Sequence, residues 1–387
     1  MTTVLTIFGT RPEAIKMAPV VRALQRAASP STSLRPRICV TGQHRDMLDQ
    51  VLRVFEIEPD YDLAVMTEGQ TPAQVAAATL TGLESIFRAE RPDWVLVQGD
   101  TTTAAAAAWA AYYARARVGH VEAGLRTYDK WQPFPEEINR RIVGTIADLH
   151  FAPTQRSCDN LLREGVPPEQ ILVTGNTVID ALHWVAGRPW TPLHAAREVA
   201  GRIESLLGGG SDLVLVTAHR RENFGAPLEQ ICAAIRELAL RYRDRLRFVY
   251  PVHPNPQVLE PVHRQLAGLS NVILLPPLDY VSLVHVMKHA VLVLTDSGGL
   301  QEEAPGLGVP VLVLREVTER PEGVEAGTVK LVGTRRERIV AETILLLDDS
   351  DAYAAMARAV NPYGDGSAAG RIVRRLLQDT PSAECVA

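Results

Sequence analysis

Short apolar runs rich in Val, Ile and Leu recur along the chain, separated by stretches whose apolar residues fall three and four apart. In the first half the runs are "VLTIFG" (4–9), "RICVTG" (37–42), "WVLVQG" (94–99), "RVGHVEA" (117–123), "LHFAPT" (149–154) and "ILVTGN" (171–176). Continuous apolar runs of this length predict strands buried on both faces, hence a parallel sheet flanked by helices. One helix is predicted over "PEEINRRIVGTIADLH", with Pro135 near N1, two glutamates in the first turn, and Ile138, Ile142, Ile146 and Leu149 on one face. The alanine-rich "AAAAAWAAYYA" at 104–114 is too short to span a bilayer and predicts a buried helix.

Around 186–211 the texture changes to Gly- and Pro-rich segments, and a second strand series follows. It comprises "LVLVTAH" (213–219), "RFVYPVH" (247–253), "NVILLPP" (271–277), "VLVLTDS" (291–297), "PVLVLRE" (310–316) and "VKLVG" (329–333). Two successive βα series predict an α/β protein of two Rossmann-like doubly wound domains facing a central cleft. The domains are placed at 1–178 and 179–363. A final helical stretch, roughly 366–378, could pack on either domain, and residues 364–380 are assigned to completing the first.

Composition narrows the partners. The 387 residues are 46% hydrophobic and 22% charged, ordinary for a globular protein with a sizeable core. A net charge of −5 argues against an electrostatic grip on nucleic acid or on an anionic membrane. The cysteines at 39, 158, 232 and 385 are dispersed, with no C-x-x-C spacing, so neither zinc nor a disulfide framework is expected. The N-terminus runs into a strand with no signal-like region, and the expected location is the cytoplasm.

In doubly wound sheets ligands bind beyond the carboxyl ends of the strands, so chemistry is sought there. Arg11 and Lys16 follow the first strand, Asp100 the strand ending at Gly99, Glu122 the next, and His219 the first strand of the second series. Arg11 suits an anion, or a surface pair. Asp100 equally suits the N-cap of the Thr-rich helix behind it. Glu122, an acid between Val and Ala-Gly at a buried strand end, needs partners. His120 and Glu122 form an H-x-E, but no P-C-x-x-C follows, and no other histidine spacing suggests a metal site. Further on, Ser297, Gly298 and Gly299 open a helix whose bare N–H groups favour phosphate, yet Glu302 and Glu303 follow within about a turn. Walker, G-x-G-x-x-G and G-x-S-x-G patterns are absent. The residues thus point to a nucleotide-sugar or similar diphosphate ligand without fixing the reaction.

"FGTRPEAIKMAPV", "TGQHRDML", "VQGDTTT", "HVEAGLRT", "PFPEEINRR", "GNTVIDAL", "HRREN", "HPNP" and "LTDSGGLQEEAPGLGVPVLVLRE" occur in this order across nearly the whole chain. The ordered set resembles the non-hydrolysing UDP-N-acetylglucosamine (UDP-GlcNAc) 2-epimerases. That resemblance implies a glycosyltransferase-B-like fold and reversible conversion of UDP-GlcNAc to UDP-ManNAc without metal or nicotinamide cofactor. UDP is eliminated to leave 2-acetamidoglucal and is then added back. The resemblance makes Asp100, Glu122 and Glu136 the catalytic carboxylates and sets His219 at the diphosphate; Glu136 otherwise merely favours its helix dipole. It assigns Arg11 and Lys16 to the phosphates, with Lys16 alternatively structural. Ser297, Gly298 and Gly299 go to the diphosphate, Glu303 to the ribose hydroxyls, and Arg320 to the uracil or phosphates.

Two departures stand out. Many relatives carry Gln and an aromatic residue near the uracil where this chain has Leu278 and Leu283. Bacterial members are often activated by a second UDP-GlcNAc through the "TGQH" loop. Gln43 and His44 match, but Asp46 and "MTEGQ" (66–70) lack a Gln and an Arg carried by some activated members. The resemblance also implies a homodimer. Alternatives are a hydrolysing epimerase releasing ManNAc and UDP, a glycosyltransferase, and a non-catalytic UDP-sugar-binding regulator. The pathway served, surface polysaccharide or specialised metabolite, is not readable from the residues.

Overall fold

The computed structural model describes residues 1–29, 32–42, 45–67 and 69–379. The chain divides into two compact units, Met1–Ala181 together with the chain from Gly364 onward, and Leu182–Tyr363. The first unit holds strands β1 (Thr2–Phe8), β2 (Leu34–Val40), β3 (Tyr61–Asp62), β4 (Trp94–Gln98), β5 (Arg117–Val121), β6 (Leu149–Ala152) and β7 (Ile171–Val173). The second holds β8 (Asp212–Thr217), β9 (Leu246–Pro251), β10 (Val272–Leu275), β11 (Ala290–Thr295), β12 (Val311–Val313) and β13 (Val329–Leu331). Their orders are β3-β2-β1-β4-β5-β6-β7 and β10-β9-β8-β11-β12-β13, and all pairings are parallel. Both sheets are doubly wound, with the order reversing between β1 and β4 in the first and between β8 and β11 in the second. Each reversal leaves a crevice where two helices depart to opposite faces.

All the runs read as strands form strands, because helices bury both faces of each parallel sheet. The observed strands stop short of several predicted ends. Gly42, Gly99, Glu122 and Gly175 take φ of 69°, 68°, 63° and 87°, which turns the chain out of the ladder just past the strand ends. β3 was not foreseen; two residues carry no periodicity. The closing helix, Ala368–Gln378, docks on the first unit: the N–H groups of Ala368 and Ala369 donate to Asp180 at 3.1 and 2.9 Å.

Two helices differ from expectation. Helix Thr102–Tyr113 buries its alanines but exposes Trp109, Tyr112 and Tyr113, so only one side of it is core. Helix Glu136–Ile146 buries Glu137, Asn139, Arg140 and Val143, whereas Ile138 is exposed and Leu149 already belongs to β6. Its inward face is therefore mostly polar, and the reason lies in the carboxylates it meets. Among the described residues, no helix is long and apolar enough to cross a membrane.

Candidate active site

In the first unit, the turns after β1 and β4 lie side by side at the switch point. Thr10 caps helix Arg11–Ala27 and forms a capping box with Glu13. Glu13 is buried and accepts the N–H of Gly9 at 3.0 Å, the N–H of Thr10 at 2.7 Å and the Thr101 hydroxyl at 2.6 Å. One carboxylate thereby pins both turns. Burial raises its pKa, against these hydrogen bonds. The T-x-x-E spacing is the sequence signal that could have singled it out.

Glu122 sits in the left-handed region, a strained conformation for a residue with a Cβ, which persists only where its surroundings hold it. Lys16 Nζ donates to both its oxygens, at 2.6 and 2.7 Å. Gln98 Nε2 donates to Oε2, and Asn176 Nδ2 to Oε1 at 3.0 Å. The partners demanded by a buried acid are thus an ammonium and two amides, contributed from the ends of β4 and β7 and the first helix. Gln98 and Asn176 escaped the sequence reading, though polar residues closing apolar runs were the available signal.

Asp100 pairs with Arg140 Nη2, and its backbone carbonyl accepts Asn139 Nδ2 at 3.0 Å. It does not cap the following helix; Thr101 does, accepting the Ala104 N–H at 3.0 Å. Burial pushes the Asp100 carboxyl upward, Arg140 opposes this, and the nearby Glu122 charge adds to the rise. Glu137 is fully buried and takes the N–H groups of Thr127 and Tyr128, both at 3.1 Å, with Arg140 and Arg141 as ion partners. Burial alone would raise its pKa, but these hydrogen bonds and charges outweigh it and bring the pKa down. Glu136 opens the same helix half-buried. Arg11 is half-buried at the first position of its helix.

Beneath this cluster lie His120 and His150, paired across β5 and β6 and buried. Burial lowers their pKa values to about 3 and about 4. Both are neutral when folded and gain protons on unfolding as pH falls, so stability drops as pH moves down from about 6.5. Between pH 7 and pH 5 each should remove about 2 kcal/mol from the first unit. Urea unfolding at the two pH values checks this: His150→Phe should shrink the difference by about that amount. An unchanged difference would refute the assignment.

In the second unit the switch point brings His219 beside Asp296. Asp296 is fully buried, and its Oδ2 accepts the N–H groups of His219 and Arg220, each at 2.9 Å, and Asn223 Nδ2 at 3.0 Å. The His219 ring stacks on His253 at 5.7 Å and 10°. Ser297 precedes helix Gly298–Gly306, and its side chain makes no capping bond, so it does not occupy the N–H groups of the helix start. A Cβ built on Gly298 would lie 3.5 Å from Arg220 Nη2, which puts that guanidinium over the helix start. Asp296 and Arg220 were not singled out from sequence.

Deeper in this helix Gln301 donates to the Ser297 carbonyl at 3.0 Å. Glu302 pairs with Arg320 Nε, and Glu303 is buried one turn from the helix start. Burial and the Glu302 charge raise the pKa of the buried Tyr363 phenol behind them. Leu278 is half-buried just before Asp279, which caps helix Tyr280–Lys288 by accepting the Ser282 N–H at 2.9 Å; Leu283 lies half-buried within it. Gln43 and His44 lie outside the described residues.

Comparisons with known proteins point to one family. A family model described as UDP-N-acetylglucosamine 2-epimerase matches residues 26–377. A UDP-N-acetylglucosamine 2-epimerase of Salmonella typhimurium is 54% identical, over 96% of this chain and 98% of that protein. The crystal structure of UDP-GlcNAc 2-epimerase from Neisseria meningitidis bound to UDP-GlcNAc is 44% identical, with a TM-score of 0.83 over 98% of this chain and 100% of that one. The S. aureus MnaA–UDP co-structure is 47% identical, with a TM-score of 0.80 over 99% of both chains.

Proposed function

The chain belongs to the UDP-N-acetylglucosamine 2-epimerase family and is an epimerase, and from that premise we propose that it interconverts UDP-GlcNAc and UDP-ManNAc by eliminating UDP and adding it back. The observation that carries the reading is the pair of carboxyl groups in the first unit. Glu122 is held rigid by three donors, while Asp100 beside it has its pKa pushed up. Inverting C2 requires one group to take the proton from one face and another to return it from the other, so two neighbouring carboxyls held by different partners are what the chemistry asks for.

The C2 proton is poorly acidic until the C1–O bond opens and C1 becomes cation-like. Asp100, Glu122 and Glu136 stabilise that charge and move the proton. Arg140 and Lys16 position Asp100 and Glu122, which puts Lys16 with the sugar chemistry as well as near the phosphates. In the second unit the start of helix Gly298–Gly306, Ser297 and Arg220 hold the diphosphate; in the first, Arg11 at the start of its helix is a further phosphate-binding group. His219 serves the leaving oxygen, and Glu303 accepts from the ribose diol. Arg320, locked to Glu302, holds the wall beside the ribose, and Leu278 and Leu283 pack against the uracil. The same proposal includes a homodimer, for which the exposed aromatics Trp109, Tyr112 and Tyr113 offer an apolar face.

Incubation with UDP-GlcNAc in D2O, followed by proton NMR, tests the function. Deuterium at C2 together with a UDP-ManNAc signal is expected. Free ManNAc with UDP would instead show a hydrolysing enzyme, and an unchanged spectrum would remove catalysis altogether.

A further inference from the structure

The two oxygens of Asp296 have unequal surroundings. Oδ2 accepts three hydrogen bonds, from the N–H groups of His219 and Arg220 and from Asn223 Nδ2. Oδ1 is buried with no hydrogen-bond partner among the described residues, and it lies 3.6 Å from His219 Nδ1. A buried acceptor left without a donor is costly, so its one nearby ring nitrogen matters. The gap exceeds hydrogen-bond length, but the His219 side chain is 44% exposed and a small ring rotation closes it. Catalytic hydrogen bonds commonly tighten when substrate binds. Stacking on His253 leaves the ring free to pivot in its own plane while keeping it upright.

We propose that Asp296 is the positioning residue for His219: it holds the ring proton on Nδ1, so that Nε2 alone exchanges a proton with the diphosphate. This rests on the role assigned above to His219. In elimination the C1–O bond breaks and its electron pair passes to the β-phosphate oxygen, which takes the Nε2 proton. The ring keeps its other proton, on Nδ1, facing Asp296. In re-addition the oxygen attacks C1 and its proton returns to Nε2. The carboxylate faces the Nδ1 proton and fixes which nitrogen works.

The geometry supplies a selective variant. In Asp296→Asn the three donors around Oδ2 require the amide oxygen on their side. The amide NH2 must then face His219 Nδ1 and donate to it, which moves the ring proton to Nε2. The fold keeps its three hydrogen bonds while the tautomer reverses.

The test is nitrogen NMR of the full chain labelled with 15N-histidine, at a pH where the ring is neutral, with His219 assigned from the signal missing in His219→Asn. The expected result is an Nδ1–H ring in the unaltered protein and an Nε2–H ring in Asp296→Asn. In that variant kcat should fall about 100-fold while KM for UDP-GlcNAc stays within about threefold. An Nε2–H ring in the unaltered protein would overturn the proposal, and that measurement needs no variant to fold. So would an unreversed tautomer in Asp296→Asn, or a reversed one with kcat unchanged where His219→Asn itself lowers kcat. Unaltered kcat in His219→Asn would remove the role of His219 at the diphosphate, while a reversal in Asp296→Asn would still support the tautomer lock.

Discussion

Glu122→Gln should abolish deuterium exchange at C2, lowering kcat by about 10³–10⁴-fold, while UDP still binds. The change is nearly isosteric, so the loss isolates the carboxylate. Lys16 occupies both oxygens, with Gln98 on one and Asn176 on the other, and an amide nitrogen at either position would face a donor. The variant should therefore also lose about 1–3 kcal/mol of stability through the unsatisfied donor. UDP binding, assigned mainly to groups of the second unit, should be retained by calorimetry. A variant that folds but no longer binds UDP would mark Glu122 as structural, and one that retains exchange would remove it from the chemistry.

Gly299→Val should weaken UDP binding by about 100-fold or more, the equivalent of roughly 3 kcal/mol, with Gly299→Ala in between. Nothing in the fold demands glycine there. The residue is helical, and a Cβ would meet only Glu303 Oε2 at 3.9 Å and Ser297 Oγ at 4.0 Å. The open space over the helix start is what a diphosphate needs to reach the N–H groups, and each added carbon intrudes on it. Helix propensity favours alanine over glycine, so Gly299→Ala should show an unchanged or raised thermal midpoint alongside its weaker affinity. Unchanged UDP affinity in Gly299→Val would place the diphosphate elsewhere.

These two sites were legible to different degrees. Ser297, Gly298 and Gly299 announce themselves because a strand, a small polar residue and two glycines are contiguous, and the proposed anion site is made from local backbone. Glu122 announced a need for partners but not their identity. Lys16 is 106 positions away in the chain, Asn176 is 54 and Gln98 is 24. Asp296 was hidden within its own motif, since its partners His219, Arg220 and Asn223 lie more than 70 positions earlier. Helix Glu136–Ile146 shows the converse error. Its isoleucines read as the core face, and Ile146 does pack on the core, but Ile138 is exposed because Asp100 draws Arg140 and Asn139 inward, and Glu137 follows.

By itself the sequence determined the two βα series, their strands and the positions where chemistry follows a strand, because parallel strands buried on both faces must be continuously apolar and their ends cannot be. It also carried the family, through motifs that are each contiguous. The tertiary structure alone decided which carboxylate meets which cation, which helix face turns inward, and which acid stands behind His219. Those outcomes depend on strand order at the two switch points, where groups far apart in the chain become neighbours, and burial then makes each unpaired charge or donor costly enough to select its partner.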